Sequence, residues 1–352
     1  MRNPQTPSPR VTALPMKCIL LFSGGLDSML AAKILQRQNI DVIGLNFVTP
    51  FHDSSADSRK RAEMLGIELV VHHSDDAYLK LVAKPQWGYG KAVNPCIDCR
   101  VEMCRVAKKL MEQRRAMFVA TGEIAGQRPN SQMQHQLNLI ARASELDGLL
   151  LRPLSAGVLP MTRVERDGMV DRSLLHRYTG RGRGRLIALA HRYEIKKIPQ
   201  PSTGCFLCEK SYAPRLRDLF AHEPNPTNWD AAILNAGRQF RISPAVKGAM
   251  GRNEEHCNRL KALFERSDAK PSMLFEPSSF FGPSLLLVGP SPETCSKEEF
   301  ETLQRLGGSL ILRYTNPAKY EGSEPMVRIR FGMVDRVIPA VVNENVDKLR
   351  VI

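Results

Sequence analysis

The chain has 352 residues, 43% of them hydrophobic, which excludes a collagen-like or largely disordered protein. Lysine and arginine number 50 against 36 aspartate and glutamate, and the formal charge of +14 favours a polyanionic partner, because cationic side chains displace the counterions condensed on phosphate backbones. No apolar run approaches the roughly 20 residues that cross a membrane, and no secretory signal is recognisable, so we expect a cytoplasmic protein without a membrane partner.

The first half of the sequence alternates between apolar runs and helical patterns. Short apolar runs typical of buried strands stand at KCILLF, DVIGLNFV, IELVVHH and AMFVATG, and a helical pattern follows each of the first three. Strands that alternate with helices predict an α/β fold with a doubly wound parallel sheet. In such sheets ligands bind beyond the carboxyl ends of the strands, where the sequence has SGGLDS, NFVTPF and TGE.

The remainder of the chain predicts two further parts. Prolines near the N-terminus predict a flexible tail over residues 1–15. Beyond Leu151 the sequence is rich in proline, glycine and serine. Helical and strand-like patterns begin again near Trp229. We therefore expect one domain over residues 16–224 and a second, smaller α/β domain over residues 225–352.

The turn Ser23–Ser28, with the sequence SGGLDS, stands between the first predicted strand and the first predicted helix. Such a turn aims backbone N–H groups at a phosphate from a helix N-terminus, and its glycines let the backbone approach the anion closely. Asp27 is informative because a carboxylate beside a phosphate is repulsive unless a cation such as Mg²⁺ lies between them. The turn has neither the Gly-Lys-Ser/Thr ending of a P-loop nor the G-x-G-x-x-G spacing of dinucleotide folds. An ordinary turn with a serine cap is the alternative.

The same turn resembles the pyrophosphate-binding signature of the PP-loop superfamily, the N-type ATP pyrophosphatases. Members cleave ATP between the α and β phosphates, adenylate a carbonyl or carboxylate oxygen, and let a nucleophile replace AMP. The resemblance implies an adenine nucleotide α-hydrolase-like fold that uses ATP and Mg²⁺. It also implies an ATP site formed by Ser23, Gly24, Gly25, Leu26, Asp27, Ser28, Asn46, Phe47, Thr121 and Gly122.

Five of the eight cysteines form two clusters, Cys96, Cys99 and Cys104 in the first and Cys205 and Cys208 in the second. A Cys-x-x-Cys pair brings two thiolates within reach of one metal centre, and the distant Cys205 can supply a third ligand. Three thiolates fit an iron–sulfur cluster with one open iron, whereas four fit zinc or a fully ligated cluster. Cys208 is the candidate fourth ligand, the role of Cys104 stays open, and a pair of small hydrophobic side chains is the alternative.

A second resemblance covers residues 16–222 and is carried by NPCIDC, ATGE, GQRPNSQ, LLLRPLSA and CEKSYAPRLRDL. These strings are similar to bacterial proteins related to the catalytic domain of the tRNA 4-thiouridine synthase family, and the rest of the chain weakly resembles a small RNA-binding domain. The resemblance implies a tRNA thiolation enzyme with Asp27 and three cysteines as catalytic residues. It implies a [4Fe–4S] cluster on Cys96, Cys99 and Cys205, with Zn²⁺ or a metal-free cysteine persulfide as alternatives. The implied partners are tRNA and a sulfur donor protein or sulfide.

Two basic segments contain the candidate RNA-binding residues. Arg128 lies in GQRPNSQ, and Arg181, Arg183 and Arg185 lie in RYTGRGRGR. A glycine-hinged basic segment can become ordered along a phosphate backbone on binding, which predicts contacts with RNA. A solvated basic loop, or an arginine that neutralises the triphosphate of ATP, is the alternative.

We therefore interpret the sequence as a sulfurtransferase that adenylates a uridine carbonyl oxygen of tRNA and replaces it with sulfur. One rival is a PP-loop ligase or amidotransferase-type enzyme with structural zinc on the cysteines. Another is a non-catalytic RNA-binding protein that responds to ATP. Iron content separates the first rival from our interpretation, and release of pyrophosphate separates the second.

Overall fold

The structure is a computed structural model that describes residues 16–201, 204–289, 295–342, 346 and 349–351. The predicted tail over residues 1–15 lies outside the described residues. No helix in the described part of the chain is long and apolar enough to cross a membrane.

The chain divides into two compact units. The first runs up to Ser74 and includes Pro85–Gly90 and Asn94–Gly204, and the second comprises Asp75–Lys84, Lys91–Val93 and the residues from Cys205 onward. The domain boundary expected near residue 225 stays a prediction, since compactness alone does not show where a chain folds independently.

The secondary structure alternates along most of the chain. The strands are, in order, β1 (Lys17–Leu21), β2 (Asp41–Val48), β3 (Glu68–His73), β4 (Phe118–Thr121), β5 (Leu150–Leu151), β6 (Arg238–Arg241), β7 (Lys247–Met250), β8 (Ser272–Pro277), β9 (Leu285–Val288), β10 (Met326–Phe331), β11 (Val334–Pro339) and β12 (Arg350–Val351). The helices are α1 (Leu26–Gln36), α2 (Ser55–Leu65), α3 (Ala77–Ala83), α4 (Cys96–Gln113), α5 (Gln134–Ala143), α6 (Arg163–Arg166), α7 (Arg183–Arg192), α8 (Ala213–His222), α9 (Asn228–Leu234), α10 (Glu254–Phe264) and α11 (Lys297–Arg313). Short 3-10 helices cover Ala156–Val158, Arg172–Leu174, Phe206–Cys208 and Pro317–Lys319.

The first unit is built on a parallel sheet with the strand order β3-β2-β1-β4-β5. Successive side chains of a strand point to opposite faces of its sheet. Cys18 and Leu20 of β1 therefore enter a core shared with α1, α2 and α7, whereas Ile19 and Leu21 enter a core shared with α4 and α5. Helices cover both faces, and the predicted doubly wound α/β fold is confirmed.

Helix α4 begins earlier than the sequence pattern indicates. The apolar periodicity predicts a helix from Val101, but the structure has helix from Cys96 onward, with Pro95 at the position before it. Asp98 lies in the first turn, where a carboxylate is favourable beside the positive end of the helix dipole. Its two oxygens accept hydrogen bonds from the backbone N–H groups of Gln86, at 2.7 Å, and Trp87, at 3.3 Å. Both cysteines of the first Cys-x-x-Cys pair are consequently helical.

The second unit contains an antiparallel sheet with the order β11-β10-β8-β9-β7-β6-β12. Alternate residues of β8 again face opposite cores. Met273 and Phe275 pack in the core that includes Leu310 of α11, and Leu274 packs with the fully buried Trp229 of α9. The expected second α/β domain is therefore present as helices on an antiparallel sheet.

Candidate nucleotide and thiol site

The predicted phosphate-binding turn joins the end of β1 to the start of α1. Gly24 has a φ of +69°, in the left-handed region that favours glycine, and Gly25 is the residue before the helix. The Oγ of Ser23 accepts a hydrogen bond from the N–H of Gly25 at 3.3 Å, and the Oγ of Ser28 donates one to the carbonyl of Gly25 at 2.9 Å. Arg61 of α2 donates to the carbonyl of Gly24 at 2.9 Å. These bonds fix the turn at the start of a helix of 11 residues.

The end of β4 lies directly against this turn. A Cβ atom added to Gly122 would lie 2.6 Å from the carbonyl carbon of Asp27 and from the backbone nitrogen of Ser28. Contacts that short do not occur, so only glycine fits between β4 and the first turn of α1. The structure thus brings Thr121 and Gly122 to the turn Ser23–Ser28, although these two parts of the predicted ATP site are far apart in sequence.

The carboxylate of Asp27 is half-buried at the turn. Gln127 donates a hydrogen bond to one of its oxygens at 3.0 Å. Burial raises the pKa of Asp27 above its ordinary value, and the hydrogen bond from Gln127 opposes that shift. Arg183 and Arg128 lie close enough to Asp27 for their positive charges to lower its pKa as well. Two arginines predicted to bind RNA are therefore placed beside the predicted phosphate site.

Asn46 and Phe47, expected near the adenine, are both buried at the end of β2. The amide nitrogen of Asn46 lies 3.0 Å from the carbonyl oxygen of Phe22, the residue before the turn, and 3.0 Å from the Oγ of Ser58. Its amide oxygen accepts no hydrogen bond from the described residues. Phe47 stacks on His72 with the ring centroids 5.3 Å apart. Asn46 thus connects the end of β2 to the residue before the turn and to helix α2.

The first pair of cysteines occupies the first turn of α4. Cys96 is the first residue of the helix and Cys99 follows three residues later, so the two lie on neighbouring positions of one helix face. The thiol of Cys96 donates to the side-chain oxygen of Asn94 at 3.0 Å. Cys104 is buried in the core, where burial and the nearby Glu123 raise its pKa to about 12. Cys104 is therefore a protonated core thiol, distinct from the pair at the helix start.

A buried carboxylate connects these thiols to the nucleotide turn. Glu123 follows Gly122, and its oxygens lie 3.6 Å from the Nε of Arg100 and 3.2 Å from the Nε of Arg152. Burial alone would raise the pKa of Glu123, but the two guanidinium groups outweigh burial and lower it. Burial lowers the pKa of Arg100, yet Glu123 and neighbouring thiols reverse that effect and raise it overall. Those thiols belong to Cys99, Cys104 and Cys96.

The second pair of cysteines belongs to the second unit. Cys205 stands directly before a short 3-10 helix, and the N–H of Cys208 donates to its carbonyl at 2.9 Å. The neighbouring Phe206 stacks on Tyr212 with the centroids 5.5 Å apart. Across the described residues, no group of three or more His, Cys, Asp or Glu side chains is placed to hold a metal ion.

The basic segment before α7 runs beside the loop that follows β4. The N–H of Gly180 donates to the carbonyl of Ala125 at 2.9 Å, and the Nε of Arg181 donates to that of Gln127 at 3.2 Å. Arg185 bonds the carbonyl of Thr179 at 3.1 Å. The segment therefore reaches the loop that carries the hydrogen-bond partner of Asp27.

Three side chains of this region were not predicted from the sequence. They are Gln127, which bonds Asp27; Arg100, which pairs with Glu123; and His52, which lies close to Arg100 and Arg128. The position of Arg100 directly after the Cys-x-x-Cys pair was the one available signal. No local pattern marks Gln127 or His52, because the residues they meet are distant in the sequence.

Comparison with known proteins locates a matching domain in the first unit. Residues 15–157 match the family described as Thiamine biosynthesis protein (ThiI). The chain is 33% identical over 94 residues to the tRNA-specific 2-thiouridylase MnmA of Nitratidesulfovibrio vulgaris. That alignment covers 25% of this chain and 27% of the relative. It is 34% identical over 119 residues to the tRNA-specific 2-thiouridylase MnmA of Sulfurimonas denitrificans. That alignment covers 30% of this chain and 34% of the relative. The chain therefore spans well under two thirds of the length of these relatives.

Two solved structures are also similar. One is a predicted subunit of tRNA methyltransferase from Methanocaldococcus jannaschii, at 18% identity and a TM-score of 0.31, covering 40% of this chain and 67% of that one. The other is a 4-thiouridine synthetase in complex with RNA and ATP, at 20% identity and a TM-score of 0.33, covering 51% of this chain and 52% of that one. Residues 15–157, most of which lie in the first unit, are thus similar to the family described as Thiamine biosynthesis protein (ThiI).

Proposed function

We propose that this chain is an ATP-dependent tRNA sulfurtransferase that adenylates a uridine carbonyl oxygen and replaces that oxygen with sulfur. One observation carries the proposal. Gly122 lies against the turn at Asp27, and the next residue, Glu123, pairs with Arg100 beside Cys99. A single loop thus joins a phosphate-binding turn to a pair of helical thiols, as a reaction that first activates an oxygen and then delivers sulfur requires. The ThiI-type domain and the thiouridylase relatives support the same chemistry.

In the first step the uridine oxygen attacks the α-phosphorus of ATP and pyrophosphate leaves. The N–H groups at the start of α1 face the leaving pyrophosphate, where a helix N-terminus stabilises negative charge. Arg128 and Arg183, which lie beside Asp27, add positive charge there. Asp27 would hold the Mg²⁺ that accompanies ATP, and the ion would neutralise part of the phosphate charge.

In the second step sulfur attacks the activated carbon and AMP leaves with the former carbonyl oxygen. In the metal-free route a persulfide on one cysteine supplies the terminal sulfur. A second cysteine then breaks the S–S bond, so the sulfur stays on the uridine and the two cysteines form a disulfide. An external thiol reductant must restore the pair. Cys96 and Cys99 are suited to these roles because a helix N-terminus and Arg100 both favour negatively charged sulfur.

A [4Fe–4S] cluster on Cys96, Cys99 and Cys205 is the other route. Such a cluster would need all three thiolates as ligands, and a zinc site would need three or four. The steps above are written for the metal-free route. The cluster remains a prediction from the resemblance.

The adenylation step is tested by Asp27→Ala. We expect the variant to keep its fold and lose pyrophosphate release from ATP in the presence of tRNA, because Asp27 faces the turn and not a core. Asp41→Ala is the matched control, because this exposed acid is the first residue of β2. It lies at the N-terminal ends of the parallel strands, away from the turn that follows the C-terminal end of β1. Unchanged pyrophosphate release by Asp27→Ala would refute the assignment of the turn.

The sulfur step is tested by Cys96→Ala, Cys99→Ala and Cys205→Ala. Cys96→Ala and Cys99→Ala should abolish thionucleoside formation by either route, measured by mass spectrometry of tRNA nucleosides, while ATP binding persists. Cys205→Ala should abolish it if a cluster carries the sulfur. A persulfide would appear as an adduct of about 32 Da, the mass of one sulfur atom, on the wild-type protein. A cluster would appear instead as about four irons per chain in protein purified without oxygen. Full thiolation by all three variants would contradict the proposal, and Cys257→Ala serves as the control.

A further inference from the structure

The positive charge of the chain is concentrated around α7. Residues 172–197 contain eight arginines and lysines and one glutamate. Residues 205–352 contain 20 arginines and lysines against 18 aspartates and glutamates, so they are almost neutral. The surplus that favours a polyanion therefore lies in the first unit.

Several of the cations around α7 and at the end of α1 have no nearby acid. Arg37, Arg177, Arg185 and Arg192 are exposed and form no ion pair with an acid in the described part of the chain. In the second unit many cations are paired, including Lys261 with Glu276 at 2.7 Å, Arg330 with Glu265 and Glu276, and Arg241 with Asp218. A cation without a nearby acid is the one available to a phosphate.

Two of the unpaired arginines rest on aromatic rings. The guanidinium of Arg37 lies 5.2 Å from the centroid of Tyr193, and that of Arg185 lies 5.7 Å from the centroid of Tyr178. His176 joins the two tyrosines, since it stacks on Tyr178 at 5.2 Å and its Nε2 lies 3.1 Å from the hydroxyl of Tyr193. Arg185 gives one N–H to the carbonyl of Thr179, and a stacked guanidinium presents its remaining N–H groups to phosphate oxygens and loses less side-chain freedom on binding.

Arg37, Arg185 and Arg192 lie in or directly after α1 and α7, which pack together. Both helices begin near the turn, because Asp27 is in the first turn of α1 and Arg183, the first residue of α7, lies beside it. Arg37 directly follows α1 and Tyr193 directly follows α7. A helix of 10 residues is about 15 Å long, so these arginines extend over about that distance from the site.

Resting on the proposed function, we propose that Arg37, Arg185 and Arg192 form a track that binds the sugar–phosphate backbone of the substrate tRNA. Charge complementarity identifies the occupant as a polyanion, and the aromatic support suits planar recognition of phosphates. Because the track starts at the turn that binds the phosphates of ATP, it guides the RNA strand towards that turn.

The test is the double variant Arg37→Gln/Arg192→Gln, assayed by tRNA binding over a series of KCl concentrations. The log–log salt slope should fall by about 2, because two phosphate contacts are lost. Lys261→Gln/Arg328→Gln removes the same charge from ion-paired residues of the second unit and should leave the slope unchanged. Pyrophosphate release at saturating tRNA should persist in both double variants.

A second pair of variants keeps every charge. Tyr193→Leu removes the ring beneath Arg37 and should weaken tRNA binding, whereas Tyr193→Phe keeps the ring and should bind tRNA like the wild type. If the wild type binds tRNA and the arginine double variant has the wild-type slope, the track does not face RNA, and an acidic protein surface becomes the candidate. If the wild type binds no tRNA, the proposed function itself fails.

Discussion

Gly122 shows how one residue holds the candidate site together. Its backbone conformation is open to any amino acid, so the requirement for glycine is one of space and not of φ. The space is missing because β4 ends against the first turn of α1, at Asp27 and Ser28. The same closeness lets the loop after β4 supply both Gln127 and Glu123 to the site.

Gly122→Ala should therefore displace the start of α1. Forcing a methyl group into a packed contact costs about 1–3 kcal/mol of unfolding free energy, measured by urea titration, and pyrophosphate release should fall with it. Gly184→Ala is the control, because a Cβ there meets open space and the helix α7 should gain up to about 1 kcal/mol. Wild-type stability and activity for Gly122→Ala would show that the turn can shift without consequence.

At the scale of elements, the loop after β4 couples α4 to the sheet through buried charge. Glu123 is almost fully buried and lies between Arg100 of α4 and Arg152, which follows β5. Arg152 also donates to the carbonyl of Leu137 in α5 at 3.0 Å. The orientation of Arg100 beside the cysteines thus depends on an ion pair that spans three elements.

Arg152→Met tests this dependence. Removing one partner of a buried ion pair lowers the free energy of unfolding by about 3–5 kcal/mol. We expect a loss at the lower end of that range, because Arg100 still faces Glu123 in the variant. The folded-state pKa of Glu123 is lowered, so its contribution to stability is present above the ordinary glutamate value of 4.5 and is lost on further acidification. The deficit of the variant should accordingly be largest at neutral pH and shrink in acid.

The control for this prediction is Arg163→Met, which breaks an exposed pair with Asp167 and should cost less than about 1 kcal/mol. Urea titrations at neutral and at acidic pH measure both variants. An equal deficit of Arg152→Met at both pH values would mean that lost packing, and not the charge of Glu123, explains its effect.

At the scale of the whole molecule, positive charge is distributed unevenly along the chain. Residues 172–197 contain eight arginines and lysines against one glutamate, whereas residues 205–352 contain 20 against 18 aspartates and glutamates. The sequence-based expectation of a C-terminal RNA-binding domain stays a prediction. In the proposed function, the distribution of charge favours the first unit as the surface that binds tRNA.

Replacement of Arg181, Arg183 and Arg185 by Ala should weaken tRNA binding and lower its salt slope by about 2 to 3. Arg183→Ala should in addition raise the KM for ATP, because Arg183 lies beside Asp27, and Arg185→Ala should not. Nitrocellulose filter binding and pyrophosphate release measure the two effects separately. An unchanged slope in the triple variant would leave these arginines a role towards ATP alone.

The sequence by itself determined the elements of the first unit and the identity of its turn. Buried strands such as β1 and β2 are recognisable in the sequence as short apolar runs. The glycines, serines and aspartate of Ser23–Ser28 are likewise a local pattern that is visible in the sequence alone. The class of the sheet followed from the alternation of elements. The turn and the strings of the first half carried the resemblance to the PP-loop superfamily and the tRNA 4-thiouridine synthase family, and residues 15–157 match the family described as Thiamine biosynthesis protein (ThiI).

Only the tertiary structure decided which side chains meet. Gln127 and Asp27 are 100 residues apart and bond because β4 and β1 are neighbours in the sheet. Arg183 lies beside Asp27, and not simply in a basic loop, because α7 packs on α1. The antiparallel order of the second sheet was equally invisible. Periodicity reports the local environment of a residue, whereas contacts between distant residues are fixed by strand order and helix packing, which no local pattern encodes.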